Sequence, residues 1–290
     1  MTRRFALLVN PVSAGGRTLA ALPAVQAEFE RLGARYRVVE TRSREHACEE
    51  ARAAERGETV VTLGGDGLVG AVAGELRHAD SALAVLPGGR GNDFARVLGI
   101  PSEPTAAARV AVEGRERSVD VAECDGVPYI GIASLGFDSE ANRIANEAKL
   151  VRGNLVYLYA AFRAVASWKP ARFTITIDGD RHEVTGWSIG VCNSKAYGGG
   201  MYVAPHAELD DGKLDVVAKA ETSKLRFLRD LRSNFNGTFL DLPSTRVFPA
   251  GHEIRIDADR PFAVYADGDP IGETPATMRV EPRCLRVIVP

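Results

Sequence analysis

Long apolar runs are missing from this chain of 290 residues. No stretch approaches the roughly 18 apolar residues that a membrane helix needs. The first apolar run, residues 5–9, stops at Asn10 and Pro11 and is too short for the core of a secretory signal. Cysteine is scarce: Cys48, Cys124, Cys192 and Cys284 lie far apart and form no C-x-x-C pair, so small buried thiols in a reducing cytosol are expected rather than a disulfide framework. Neither charge sign dominates. The formal net charge of -2 gives no whole-surface attraction to nucleic acid or anionic membrane, although a local basic face is compatible with it. His46, His78, His182, His206 and His252 show no ligand spacing such as H-E-x-x-H. There is no G-x-x-x-x-G-K-[ST] segment and no G-x-G-x-x-G after the first strand, which removes the P-loop and the usual dinucleotide fingerprint. A soluble, cytoplasmic protein is expected, one that meets a membrane only from outside.

What is present is an ordinary globular composition, with 45% apolar and 26% charged residues over a length that suits one large domain or two moderate ones. Up to about residue 120 the chain alternates strand and helix signals. "FALLVN" (5–10), "RYRVVET" (35–41), "TVVTLGG" (59–65) and "ALAVLPGG" (82–89) read as strands. "TLAALPAVQAEFERLG" (18–33), "REHACEEARAAERG" (44–57), a segment from about Leu68, "NDFARVLGI" (92–100) and "PTAAARVAVEG" (104–114) read as helices. Nearly pure Val/Leu strands between helices imply a parallel α/β sheet, whose ligands bind outside the carboxyl ends of the strands. Beyond residue 118 a two-residue period with Gly, Asp and Asn turns implies an antiparallel sandwich or barrel. Helical signals interrupt it at about 138–168 and 223–235. The expected domains are 1–121 and 122–290, with the last strand assignable to either.

Three glycine turns fall at the carboxyl edge of the first sheet. "NPVSAGGR" (10–17) follows the first strand, "LGGDG" (63–67) the third and "LPGGRGNDFAR" (86–96) the fourth. Glycine lets backbone N–H groups approach anionic oxygens, and a following helix adds its positive end. Asp66, inside the second turn, would repel a bare phosphate but suits one that carries Mg²⁺. It also suits a plain helix cap. Asn92 and Asp93 are explained by capping alone. In "AELDDGK" (207–213) and "ADGDPIG" (266–272) the Asp-Gly pairs are sufficient turn signals in themselves.

Taken in order, "LLVNPVSAGGR", "TLGGDG", "LPGGRGNDFARVLGIP", "NSKAYGGGMYVAPHAELDDGKLDVV" and "ADGD" resemble the soluble bacterial lipid kinases of the diacylglycerol kinase catalytic-domain family, relatives of the sphingosine and ceramide kinases. The resemblance spans nearly the whole chain. It implies an N-terminal α/β nucleotide domain, a C-terminal β-sandwich and an active site between them, where the γ-phosphoryl group of ATP passes to a lipid hydroxyl. By motif, ATP contacts carry over to Asn10, Pro11, Val12, Ser13, Ala14, Thr41, Gly65, Asp66, Gly67, Leu68, Val69, Gly70, Ala71 and Arg90. A structural Mg²⁺ carries over to the Asp211 side chain and the Glu208 and Lys213 carbonyls, and the catalytic carboxylates to Asp269, Asp267 and Asp66. An alcohol is far less acidic than an aspartic acid of pKa about 3.9, so Asp269 would orient the hydroxyl and take its proton late in a loose transfer.

The chain departs from the family pattern at Leu68 (usually Thr), Gly70 and Ala71 (usually Asn-Glu), Arg90 (usually Thr) and Asp269 (usually Glu). Arg90 would replace a hydroxyl contact by a charged one. Diacylglycerol is the expected acceptor and ATP with Mg²⁺ the expected donor. A peripheral membrane contact is expected and nucleic acid is not, and a homodimer is compatible with the sequence. The competing readings are a nucleotide- or lipid-binding module that has lost turnover, and a NAD kinase, which shares the G-G-D-G turn. "SKLRFLRDLRSNF" (223–235) sets Leu225, Leu228 and Leu231 on a helical stripe among Lys224, Arg226, Arg229 and Arg232. A basic amphipathic helix of this kind can lie on anionic lipid, but the ordinary expectation is that its leucines pack on the domain and its charges are solvated.

Overall fold

The computed structural model describes residues 3–147, 165, 168–230 and 232–290. The first lobe contains β1 (Arg4–Val9), α1 (Arg17–Arg31), β2 (Arg35–Glu40), α2 (Arg44–Arg52), β3 (Glu58–Gly64), α3 (Asp66–Glu75), β4 (Ala82–Pro87), α4 (Asp93–Val97) and α5 (Pro104–Glu113). The four strands run parallel in the order β2-β1-β3-β4. Every residue of β3 and β4 is buried. That explains the Ala/Leu/Val run of β4 and the lack of a polar–apolar alternation in β3, whose Glu58, Thr59 and Thr62 are buried with its Val and Leu residues: strands covered on both faces have no solvent side to mark. Glu28 of α1 pairs with Arg109 of α5 at 3.0 Å, and Arg52 of α2 pairs with Glu75 of α3 at 2.8 Å.

The second lobe contains β5 (Arg115–Cys124), β6 (Val127–Tyr129), β7 (Ile132–Gly136), α6 (Phe137–Glu147), β8 (Ala171–Ile177), β9 (Asp180–Cys192), β10 (Ala196–Tyr197) and β11 (Met201–Tyr202). It continues with β12 (Leu214–Ala220), α7 (Lys224–Asp230), α8 (Ser233–Asn236), β13 (Thr245–Gly251), β14 (Glu253–Ala258), β15 (Ala263–Ala266), β16 (Asp269–Glu273) and β17 (Ala276–Val289). Its pairings are antiparallel, and alternate residues of β8 are buried, as the two-residue period requires. A separate core fills it, with Trp187, Phe173, Phe227 and Phe262 among its members. The helical signal expected over 138–168 is met by α6 as far as Glu147, and the remainder lies outside the described residues apart from residues 165 and 168.

The last strand belongs to both lobes. β17 begins antiparallel to β14, with Ala276 opposite Ile256, and ends parallel to β4, with Val287 opposite Leu83. Along its length it pairs with β5, from Met278–Cys124 to Val289–Arg115. The expected division at residue 121 therefore falls inside a strand that runs continuously from one lobe into the other. The β17–β5 register shifts between Glu281 and Leu285, where Arg283 takes a left-handed φ of 51°. Fully buried Asp120 accepts the Arg283 amide at 2.7 Å on one oxygen and the Gly212 amide at 2.7 Å on the other, which ties this bulge to the 207–213 loop.

Candidate active site

The three glycine turns converge as the parallel sheet requires. The Gly88 N–H donates to the Gly64 carbonyl at 2.7 Å, and the Ser13 hydroxyl donates to the Gly88 carbonyl at 3.2 Å. Gly89 lies so close that a β-carbon there would stand 2.5 Å from Gly65 Cα, so these two turns are glycine because their backbones touch. Asn10 donates its amide to Leu63 and accepts the Thr18 hydroxyl on its carbonyl, while its side chain accepts the Val12 amide. Thr41, at the end of β2, spends both its amide and its hydroxyl on the Val9 carbonyl, at 2.8 and 3.1 Å. Pro11 and Ala14 belong to the same loop, whose Val12 is exposed. Arg90 is exposed at the tip of the turn after β4.

The departures from the family pattern find physical reasons here. Leu68 is buried beneath the second turn, and a β-carbon on Gly64 would meet its Cδ2 at 2.7 Å. Val69 and Ala71 are core residues of α3. Side-chain contact with a ligand is thus closed to these three. Gly70 stands against a carboxylate from the other lobe, since a β-carbon there would lie 2.9 Å from Asp267 Oδ2. A β-carbon on Gly67 would stand 3.8 Å from Asp269 Oδ2.

Asp66 is the first residue of α3, yet it does not cap that helix. Its Oδ1 accepts the Asp93 amide at 2.8 Å and the Phe94 amide at 3.3 Å, the opening N–H groups of α4. Burial, and after it the charge of Asp93, pushes its carboxyl above the usual range, against the pull of the Phe94, Asp93 and Asn92 amides. Asp93 does not cap its own helix either. It accepts the Gly199 amide at 2.8 Å, the Gly200 amide at 2.7 Å and Arg96 Nη1 at 2.6 Å. Gly198, Gly199 and Gly200 all have positive φ, so the triple glycine of the second lobe folds around a carboxylate of the first. Asn92 turns back to its own loop and accepts the Gly89 amide at 2.8 Å.

From the second lobe, the β15–β16 hairpin carries Asp267 and Asp269. The Asp-Gly turn signal is met: Asp267 and Gly268 both have positive φ. The two carboxylates then diverge. Asp267 points inward and accepts the Ile130 amide at 2.9 Å and the Gly131 amide at 3.0 Å. Burial pushes it up to about 7; the two amides oppose this, and the charges of Asp66 and Asp269 add to it. Asp269 stays half-exposed and pairs with Arg44 Nη1, from the first residue of α2. Arg44, Asp93 and Arg96 are the residues that sequence reasoning did not assign to the site.

Asp66 and Asp267 offer hard oxygen donors beside the glycine turns, chemistry that suits Mg²⁺ accompanying a phosphate, but together with Asp269 they do not close to within ligand distance of one another. The 207–213 loop is less distinctive. Glu208, Asp211 and Lys213 are all exposed, and Asp211 Oδ1 accepts the Lys213 amide at 3.0 Å, an ordinary Asx turn. Its neighbours are engaged, Asp210 with Arg117 at 3.0 Å and Asp215 with His206 at 3.1 Å. One carboxylate flanked by carbonyls suits a hard cation, and the turn needs none to account for its bonds.

Residues 4–124 match the diacylglycerol kinase catalytic domain, and residues 131–289 match the YegS C-terminal NAD kinase beta sandwich-like domain. The chain belongs to the diacylglycerol kinase catalytic-domain family. Within this family of lipid kinases, the chain is 31% identical to a protein of Pseudomonas aeruginosa named "probable lipid kinase YegS-like", over 98% of this chain and 93% of the relative. It is 30% identical to a protein of Mycobacterium tuberculosis named diacylglycerol kinase, over 80% of this chain and 77% of the relative. A crystal structure of a diacylglycerol kinase from Bacillus anthracis superposes with a TM-score of 0.75 at 21% identity, covering 99% of this chain and 97% of that one, which supports the fold. The family's fold expectations, a parallel first lobe and an antiparallel second, agree with the architecture observed. No helix among the described residues is long and apolar enough to cross a membrane.

Proposed function

We propose that this lipid kinase transfers the γ-phosphoryl group of ATP to the hydroxyl of diacylglycerol and releases phosphatidic acid. The observation that carries the reading is the hairpin of the second lobe, which brings Asp267 and Asp269 against Gly67 and Gly70 of the first. A phosphate seated on the 65–70 turn would lie between the positive end of α3 and these carboxylates. Asp66 and Asp267 would hold the Mg²⁺. Bound there, the ion supplies neutralisation of charge on the transferring oxygens. Asp269 orients the acceptor hydroxyl and receives its proton late. Arg44 would exchange Asp269 for the phosphate, which frees the carboxylate when the nucleotide arrives. The Asp211 side chain and the Glu208 and Lys213 carbonyls are the proposed seat of a second, structural Mg²⁺.

A narrow cavity of about 30 Å³ inside the second lobe marks the proposed entry for the apolar part of the acceptor. It opens beside Ile132 and Ser134 of β7, directly after the Ile130 and Gly131 amides that hold Asp267, and Val203, Val217, Phe227 and Phe239 line it with apolar surface. Small-molecule sites occupy roughly 300–1,000 Å³, so an acceptor would have to widen this narrow space on entering.

The test is transfer from γ-labelled ATP with Mg²⁺ into mixed membrane lipids in micelles. Label in phosphatidic acid is expected. Label in another lipid keeps the kinase and changes the acceptor. Label in NAD, or none with nucleotide binding demonstrated, overturns the reading, and the second of these is the outcome a binding module gives.

A further inference from the structure

The 223–235 segment behaves differently from an ordinary surface helix. Phe227 is buried and stacks on Trp187, with ring centroids 3.9 Å apart and an interplanar angle of 9°, and Leu228 is half-buried against the second core. Leu225, expected to pack with them, is 81% exposed. Leu231 lies outside the described residues. Phe235 and Val247 are exposed as well, at 60% and 48%. These three apolar side chains occur within 23 residues that also carry exposed Arg226, Arg229, Arg232 and Arg246. Asp241 is exposed among them, whereas Asp230 is buried and held by Lys219 at 3.0 Å. The same Asp230 oxygen accepts the Ser244 hydroxyl at 3.1 Å, which fixes the start of β13, with Arg246 and Val247, close to α7. A chain of net charge -2 thus gathers cations around uncovered apolar groups in one region.

We propose that this face, made of Leu225, Phe235 and Val247 with Arg226 and Arg229, docks the protein on an anionic lipid bilayer. The apolar side chains enter the headgroup boundary and the arginines meet lipid phosphates, the division of labour of interfacial helices. The opposite side of the same segment gives the docking its purpose: Phe227, Asp230 and Phe239 line the cavity of the second lobe. A bilayer held against α7 therefore lies one helix thickness from the space assigned to the acceptor. The proposal rests on the lipid-kinase reading for its purpose, but the surface itself is tested without turnover.

The experiment is co-sedimentation of the full chain with vesicles of phosphatidylcholine alone and of equimolar phosphatidylcholine and phosphatidylglycerol. Wild type is expected to bind the anionic vesicles at least about tenfold better. Leu225→Glu and the double variant Arg226→Glu/Arg229→Glu are each expected to lose that binding. In parallel, transfer to a short-chain diacylglycerol in detergent micelles is measured, and both variants should match wild type there. Equal binding of wild type to the two vesicle types, variants that bind as wild type does, or variants that also fail in micelles would each overturn the proposal. Anionic binding that the variants lose, with no transfer by any of the proteins in micelles, would sink the kinase reading and leave the docking face standing.

Discussion

Arg44 and Asp269 form an ion pair across the cleft, a guanidinium from the start of α2 against a carboxylate at the tip of the β15–β16 hairpin. The two are 225 residues apart in sequence and come from different lobes. The pair gives the shortened carboxylate a fixed position before nucleotide binds, and it sets a cation where a phosphate would arrive. Arg44→Ala is predicted to raise the KM for ATP about tenfold or more, the scale of one lost charge-assisted hydrogen bond. Steady-state kinetics at saturating lipid would check this, and an unchanged KM would place Arg44 outside the phosphate site.

Gly70 and Asp267 make a second prediction. The family's usual asparagine at position 70 has no room here, since its β-carbon would lie 2.9 Å from Asp267 Oδ2. Gly70→Asn, although it restores the family residue, should lower stability by about 1–3 kcal/mol and reduce transfer. An increase in activity would mean that Asp267 stands elsewhere when the enzyme works.

The raised pKa of Asp267 has a pH signature. Its folded value of about 7 lies above the ordinary value of 3.8, so the folded chain holds this proton more tightly than the unfolded chain. The associated stabilisation is complete below about pH 4 and is lost as pH rises through about 7. Asp267→Asn mimics the protonated form and lacks the loss. Between about pH 4 and about pH 8, wild type should therefore fall relative to Asp267→Asn by an amount on the order of 4 kcal/mol. Denaturant unfolding of both proteins without metal or nucleotide measures the difference, and parallel pH profiles would contradict it.

Asp93 links the lobes through the Gly199 and Gly200 amides. Asp93→Ala strands both amides and Arg96, and should cost about 1–3 kcal/mol. Hydrogen exchange at Gly199 and Gly200 should rise in this variant. Protection that stays at the wild-type level would mean those amides do not depend on the carboxylate.

Much of the architecture was legible because its causes are local. The Val/Leu runs of β1, β3 and β4 name buried parallel strands, and the Asp267–Gly268 pair names a hairpin turn. The glycine turns were expected at one edge of the sheet, and they meet there. The Asp66 and Asp93 contacts could not be read in the same way, because an acid at the start of a helix looks like that helix's own cap. Asp66 instead serves α4, and Asp93 serves glycines 106 and 107 residues away. Arg44 carried no signal at all, since nothing near it in sequence is acidic and catalytic. The path of β17 was undecidable from its pattern, because a strand that ends beside buried β4 and one that stays in a sandwich are equally apolar.

The central claim is that the hairpin carboxylate serves phosphoryl transfer to a lipid. The most direct measurement compares label transfer from γ-labelled ATP to diacylglycerol by wild type and by Asp269→Asn, with nucleotide affinity measured on both. The account predicts phosphatidic acid from wild type and a kcat lower by about 10²–10⁴-fold in Asp269→Asn, with nucleotide still bound. Equal turnover by the two proteins, or nucleotide binding with no lipid product from wild type, would contradict it.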